Sequence, residues 1–277
     1  MLKNFEDYLL EDGKAANTIR SYILNVGLYL KWYEETFGTE MTELLHGNVL
    51  DYRSYLQNVK KQKAVSVNAK LSALISLNAF LVASGRQTEI VVSKADLLRI
   101  QAAYTSPSDL TEKAVDAFRQ TVLLESGTRN HALVTILAYA GLRVSEACSL
   151  STEDVDLVGR QITVNKGKGN KERVVFIGDK VINAVREYLA DMTRDSRWLF
   201  PGRGDNGLDR SSVNRLCNDY SDKITPHKLR HFFCSNALEK GYSFHEVAHQ
   251  AGHSNIHTTL RYTNPTSEAM KEKANKL

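Results

Sequence analysis

Six side chains in the second half of the chain have types and spacings that could do chemistry: Arg143, Lys168, His227, Arg230, His253 and Tyr262. Arg143 follows the apolar run Ala132 to Leu142 directly through Gly141-Leu142, so a guanidinium is held at the mouth of a buried helix. Its planar fork suits bidentate capture of a phosphate. Glu146 stands three residues on, as its i+3 partner. Lys168 lies between Gly167 and Gly169, which let a backbone approach a polyanion closely. His227 and Arg230 sit one turn apart near the start of a helix opened by Thr225-Pro226, where the macrodipole favours anions. His253 occurs in Ala251-Gly-His-Ser254, and Tyr262 comes nine residues later, just before Pro265.

Taken singly, each has a structural explanation. A lone His-x-x-Arg is common surface decoration, an arginine beside Glu146 can simply snorkel, a turn lysine solubilises, and a single tyrosine packs. Together, with no acidic cluster arranged to hold magnesium, they suit metal-free phosphoryl transfer. In that chemistry the arginines and histidines neutralise charge on the transition state, Tyr262 is the nucleophile, and Lys168 protonates the leaving oxygen. One competing motif is His245-Glu-Val-Ala-His249, which matches the HExxH zinc pattern. The extended version needs a third histidine where this chain has Asn255, and Glu246 is accounted for as the N3 acid of a capping box begun by Ser243, so no metal is expected.

The elements that must hold these residues read from periodicity. Ile19, Tyr22, Ile23, Val26, Leu30, Tyr33 and Phe37 recur at three and four residues, an amphipathic helix closed by Gly38. Val49 to Val59 and Val67 to Val82 repeat the pattern, so residues 1–85 are expected to form a bundle of four helices. The pattern turns polar from Arg86 to 108, around Ser106-Pro107-Ser108, and predicts a linker. A second domain, 109–277, begins with Thr111 as an N-cap. Within it Gln161–Val164 and Arg173–Ile177 are β-branched runs flanking the basic, glycine-rich stretch 166–171, which predicts a β-hairpin with Lys168 in its turn. Helices resume at Lys180 and after Thr225, the latter ending at Gly241, and a further one runs from Ser243 to near Gly252. The fold class expected is mainly α with a small β-hairpin.

Composition sets the outer bounds. The chain has 277 residues, 42% hydrophobic and 25% charged, as ordinary globular proteins do, which excludes long disorder, collagen and coiled coil. Taking Ala132 to Leu142 as the longest apolar stretch, no bilayer-spanning segment is expected, nor a secretory signal, and the location expected is cytoplasmic. Cys148, Cys217 and Cys234 lack close pairing and read as reduced, buried thiols. A net charge of +4 is compatible with a polyanionic partner. Residues 1–84 hold nine basic against nine acidic side chains, so the whole excess of 36 over 32 falls in the second part. Within the neutral first part, Lys60, Lys61, Lys63 and Lys70 form an acid-free strip, a candidate phosphate-facing surface.

Four segments, Ala140-Gly-Leu-Arg-Val-Ser-Glu146, Gly167-Lys-Gly-Asn-Lys-Glu-Arg173, Pro226-His-Lys-Leu-Arg-His231 and Gly252-His-Ser-Asn-Ile-His-Thr-Thr-Leu-Arg-Tyr262, resemble the tyrosine recombinases of the phage-integrase family, in their order and in the compact Xer-like form. Asn17-Thr-Ile-Arg-Ser-Tyr22 and Lys70-Leu-Ser-Ala-Leu74 resemble the same family's helical, SAM-like core-binding domain. The resemblance implies that Arg143 and Arg230 clamp the scissile phosphate, with Glu146 orienting Arg143. It further implies that Lys168 is the general acid, that His227 and His253 assist, and that Tyr262 forms a 3′-phosphotyrosyl bond, with no cofactor and no metal. It implies double-stranded DNA as partner, exchange through a Holliday junction, and a homotetramer on two duplexes, alone or with a second recombinase. Because the core-binding motifs begin almost at once, no separate arm-binding domain is expected. After Tyr262, Met270, Ala274 and Leu277 fall on one helical face, a tail helix expected to dock on a neighbouring protomer. Two other readings are a type IB topoisomerase and a non-catalytic DNA-binding accessory protein. The compact first domain argues against the former and the intact catalytic set against the latter.

Overall fold

The structure, a computed structural model, describes residues 1–100, 109–165, 172–193, 195–204, 206–253 and 275. It divides into two compact units between Ala102 and Ala103. In the first, α1 (Leu2–Glu11), α2 (Ala16–Phe37), α3 (His46–Ser54) and α4 (Ala64–Ala83) surround one apolar core. Helix α2 buries Ile19, Val26, Tyr29 and Trp32 on one stripe and ends at Gly38, whose φ of +69° only glycine adopts without strain. The core is rich in rings: Tyr29 and Tyr52 meet edge to face at 5.1 Å. Past α3 the backbone widens into a π-turn, Tyr55–Val59, before α4 begins. Among the described residues, helix α4, not the run Ala132 to Leu142, is the helix long and apolar enough to cross a bilayer by length and composition. Its Val67, Leu71, Leu74, Leu77 and Leu81 are buried in this core, which accounts for its apolar character.

The polar stretch after residue 85 is tied down by three side-chain amides. Gln87 exchanges two hydrogen bonds with the backbone of Leu44, both 3.0 Å. The carbonyl of the buried Asn78 amide accepts from the N–H groups of Val91 and Val92 at 2.7 and 3.0 Å. Asn68 accepts from Leu98 N–H at 2.8 Å and donates to its carbonyl at 2.9 Å. Val92 is buried in the core of the first unit, so residues 87–98 form a strap on that unit. Periodicity cannot reveal such a segment, because its order comes from distant amides and not from a repeating apolar face.

The second unit opens with α5 (Glu112–Tyr139), capped by Thr111, whose hydroxyl accepts from Ala114 N–H, and kinked at Gly127, φ +82°. A short α6 (Val144–Cys148) follows, then β1 (Val155–Asp156), β2 (Gln161–Val164) and β3 (Arg173–Phe176) in an antiparallel sheet of order β1-β2-β3. The predicted hairpin is β2 and β3, registered with Ile162 opposite Val175. Its turn, 166–171, lies outside the described residues. Then come α7 (Asp179–Asp191), α8 (Arg210–Tyr220), α9 (Pro226–Glu239) and α10 (Phe244–Ala251). Leu133, Ile136 and Leu137 of α5 and Val181, Ile182 and Val185 of α7 belong to one buried core. Periodicity missed α6, β1 and α8: the first two span five and two residues, and α8 buries only Val213, Leu216 and Cys217. The three cysteines are unpaired and buried, which pushes Cys148 and Cys234 up to about 11 and Cys217 to about 12, the condition of inert thiols.

Candidate active site

Helix α6 begins with Arg143 as N-cap and Glu146 at N3, and that local geometry starts the site. One Glu146 oxygen accepts from the Arg143 N–H at 2.8 Å, and the other from Arg143 Nη1 at 2.8 Å. Arg173, first residue of β3, donates Nη1 and Nη2 to the same two oxygens, each at 2.9 Å. A carboxylate 3% exposed thus holds two guanidiniums. Burial alone would raise its pKa, but the Arg173 and Arg143 hydrogen bonds prevail and hold it at about 2.

Arg230 projects from the first turn of α9, where Thr225 accepts from Lys228 N–H at 3.2 Å, and it is 7% exposed. Its Nη1 donates to the Gly141 carbonyl at 2.6 Å and its Nη2 to the Ala251 carbonyl at 2.5 Å. Burial, then repulsion from Arg143, lowers its pKa to about 10, still charged at neutral pH.

The third component is the end of α10. Gly252, φ +66°, closes the helix with its N–H on the His249 carbonyl at 3.0 Å, while His253 N–H returns to Ala248 at 2.8 Å. This pair of bonds satisfies two terminal carbonyls. Each of the next three carbonyls receives a different arginine: Gln250 accepts from Arg173 Nε at 3.3 Å, Ala251 from Arg230, and Gly252 from Arg143 Nη2. The negative end of a helix dipole is where cations are favoured. Glycine suits position 252, where a φ of +66° strains other residues and a Cβ would lie 2.6 Å from Arg173 Cζ and displace that guanidinium.

The histidines stand around this nest. Burial first, then the charges of Arg230, Arg143 and Arg173, lower His253 to about 4. His227 and His231, one turn apart on α9, bring their Nε2 atoms to 2.7 Å. Burial, His227 and Arg230 lower His231 to about 4, and burial with Arg230 and Arg210 lowers His227. At neutral pH these rings are neutral and can accept protons.

The structure therefore brings Arg143, Glu146, Arg230, His227 and His253 into one region, linked by shared partners and mutual electrostatics. Lys168, Tyr262 and the tail helix fall outside the described residues. Arg173 and His231 were missed as members of the site although both close quoted motifs. The available signals were a guanidinium opening an apolar strand and a histidine at i+4 from His227. In the first unit Lys60, Lys61 and Lys63 are exposed, and Lys60 and Lys70 line a cavity of about 290 Å³ with Trp32, Tyr52 and Tyr55. Glu246 of the HExxH motif accepts from Ser243 N–H at 2.7 Å, as a helix cap. Among the described residues no group of three or more His, Cys, Asp or Glu is placed to hold a metal.

One buried and two partly buried arginines around a single carboxylate make a site that attracts an anion such as phosphate. Residues 108–269 match the Phage integrase family, and residues 2–85 match Phage integrase, N-terminal SAM-like domain. The chain is 44% identical over 276 residues to the TnP I resolvase of Bacillus thuringiensis, covering 98% of this chain and 97% of that protein. It is 30% identical over 280 residues to the tyrosine recombinase XerA of Pyrococcus furiosus, covering 98% and 92%. Among solved structures, a XerA recombinase superposes with a TM-score of 0.54 at 25% identity, over 99% of this chain and 96% of that one. The Tn1549 transposon integrase in complex with transposon right end DNA gives 0.75 at 16% identity, over 99% and 98%, a likeness of fold.

Proposed function

Because the chain belongs to the phage integrase family and is a tyrosine recombinase, an enzyme of site-specific DNA recombination, we propose that its strand cleavage and rejoining are carried by Arg143, Lys168, His227, Arg230, His253 and Tyr262, with Glu146 in support. The Tyr262 oxygen attacks the scissile phosphorus and the bond to the 5′-oxygen breaks. Lys168 gives that oxygen its proton, and a neutral ring, His227 or His253, receives the tyrosine's. The 3′-phosphotyrosyl bond conserves the energy of the broken one until the 5′-hydroxyl of the partner strand attacks in turn.

The observation that carries this reading is the charge of the nest. Among the described residues, Arg143 and Arg173 share one carboxylate, Glu146, and the remaining hydrogen bonds of these two and Arg230 go to neutral carbonyls. A net charge of two is thus preorganised for the phosphoryl oxygens, the kind of electrostatic effect that is typically worth several kcal/mol. Exchange between two duplexes through a Holliday junction needs four such sites, hence a homotetramer, alone or with a second recombinase. Likeness to a resolvase over nearly the full length of both proteins supports resolution as the outcome. Lys60, Lys61, Lys63 and Lys70 are assigned to DNA phosphates, which would give affinity a steep salt dependence. A double-stranded DNA substrate favours a cytoplasmic location.

The test is Tyr262→Phe on a nicked suicide duplex. The variant is expected to retain duplex binding and form no SDS-resistant adduct, whereas wild type accumulates one. An adduct in the variant would remove Tyr262 from the role.

A further inference from the structure

Helix α10 is fastened to the backbone of β3 by the side chain of Gln250. Gln250 is 6% exposed. Its Oε1 accepts from the Phe176 N–H at 2.9 Å, and its Nε2 donates to the Phe176 carbonyl at 3.0 Å. These are the two bonds that a residue of a neighbouring antiparallel strand would exchange with Phe176. Since β3 pairs with β2 along its other edge, the amide stands in for a fourth strand.

What this amide anchors is the turn that aims the arginines. The carbonyl of Gln250 itself meets Arg173, and those of Ala251 and Gly252 meet Arg230 and Arg143. Three consecutive carbonyls on one helix end move together, so a shift of that end relative to β3 redirects all three guanidiniums at once. A neutral amide suits the place. A carboxylate would draw an arginine to itself, a lysine would repel one, and an apolar side chain would make neither hydrogen bond to Phe176.

We propose that Gln250 is a positioning residue of the recombination reaction: its double hydrogen bond to the Phe176 backbone fixes the last turn of α10 against β3 and thereby aims Arg143 and Arg230 at the scissile phosphate. The inference rests on reading those two arginines as the phosphate clamp. A misplacement of about 1 Å in such a clamp slows reaction on the order of a hundredfold.

The experiment uses the full-length protein in single-turnover cleavage of a nicked suicide duplex. Gln250→Met keeps length and bulk without either hydrogen bond. Its cleavage rate constant is expected to fall about tenfold to a hundredfold, with the final yield of covalent adduct and the duplex dissociation constant near wild type. Gln250→Asn keeps the amide one methylene short, so a smaller fall is expected, and it carries the test if the Met variant does not fold. Wild-type rates in both variants would overturn the inference. A reduced adduct yield at an unchanged rate constant would overturn it too, since that marks a loss of folded protein and not of aim. Wild-type cleavage by Arg230→Ala would instead bring down the clamp reading beneath it.

Discussion

The two units bury polar side chains for opposite purposes. In the first, Asn68 and Asn78 are neutral amides that pair with the backbone of the 87–98 strap, Gln87 of the strap pairs with the backbone of Leu44, and none leaves a net charge behind. In the second, Arg143, Arg173 and Arg230 are gathered at one carboxylate and three carbonyls of a helix end. Amides satisfy a segment that apolar contacts alone would not hold, and the result is structural closure. Clustered guanidiniums repel one another, and the pKa of Arg230 is lowered by burial first and then by Arg143, a cost that an arriving anion relieves. Buried charge without full compensation is therefore the mark of the working region, and buried neutral amides the mark of the scaffold.

Removing the single compensating charge should have the largest effect. Glu146→Gln leaves two guanidiniums facing a neutral group, and breaking a buried pair in this way costs about 3–5 kcal/mol. Denaturant unfolding followed at Trp198, in the second unit, should report a loss of this size, with the transition at Trp32, in the first, unmoved. A stable Glu146→Gln protein would break the contrast, because the nest would not then need its counter-charge. Next, Arg230→Ala should retain folding but slow single-turnover cleavage about a hundredfold to a thousandfold, the usual consequence of losing one donor to a transition-state anion.

Asn78→Ala tests the other side. It strands the N–H groups of Val91 and Val92 and should destabilise the first unit by about 1–3 kcal/mol, read at Trp32, while the cleavage rate at saturating duplex stays at wild type. The smallest expected effect is on acid stability. His131, His231 and His253 all lie in the second unit and are lowered from 6.5 to about 4, each by burial first and then by neighbouring positive or imidazole groups. The fold holds neutral rings, so their contribution is complete above pH 6.5 and is lost as pH falls toward 4. The shifted groups of the first unit's core are the phenols Tyr29 and Tyr52, raised by burial and silent in acid. Melting followed between those pH values should show the Trp198 transition falling further than that at Trp32.

Much of the site was legible because its signals are local. Thr225-Pro226 ahead of His227 and Arg230, and Ser243 with Glu246 ahead of a helix ending at Gly252, are cap signatures written within a few residues, and each appears where periodicity and capping put it. The alternation of β2 and β3 is equally local. Helix α8 was not legible, since three buried positions among polar ones give too weak a stripe. The strap was not either, because Asn68 and Leu98 are thirty residues apart and nothing in the composition of either announces the other.

By itself, then, the sequence determined which candidate side chains stand where helices begin, and that the family's motifs occur in order, since residue types and short-range caps are properties of a few consecutive positions. Tertiary structure alone decided how those residues are aimed. Arg173 lies 27 residues from Glu146 and 77 from the Gln250 carbonyl, Arg143 lies 109 from Gly252, and Arg230 lies 89 from Gly141. The physical reason is that a buried guanidinium is directed by whatever acceptors the fold leaves unsatisfied around it. Which carbonyls those are depends on where a helix ends against a sheet, and no local pattern encodes that.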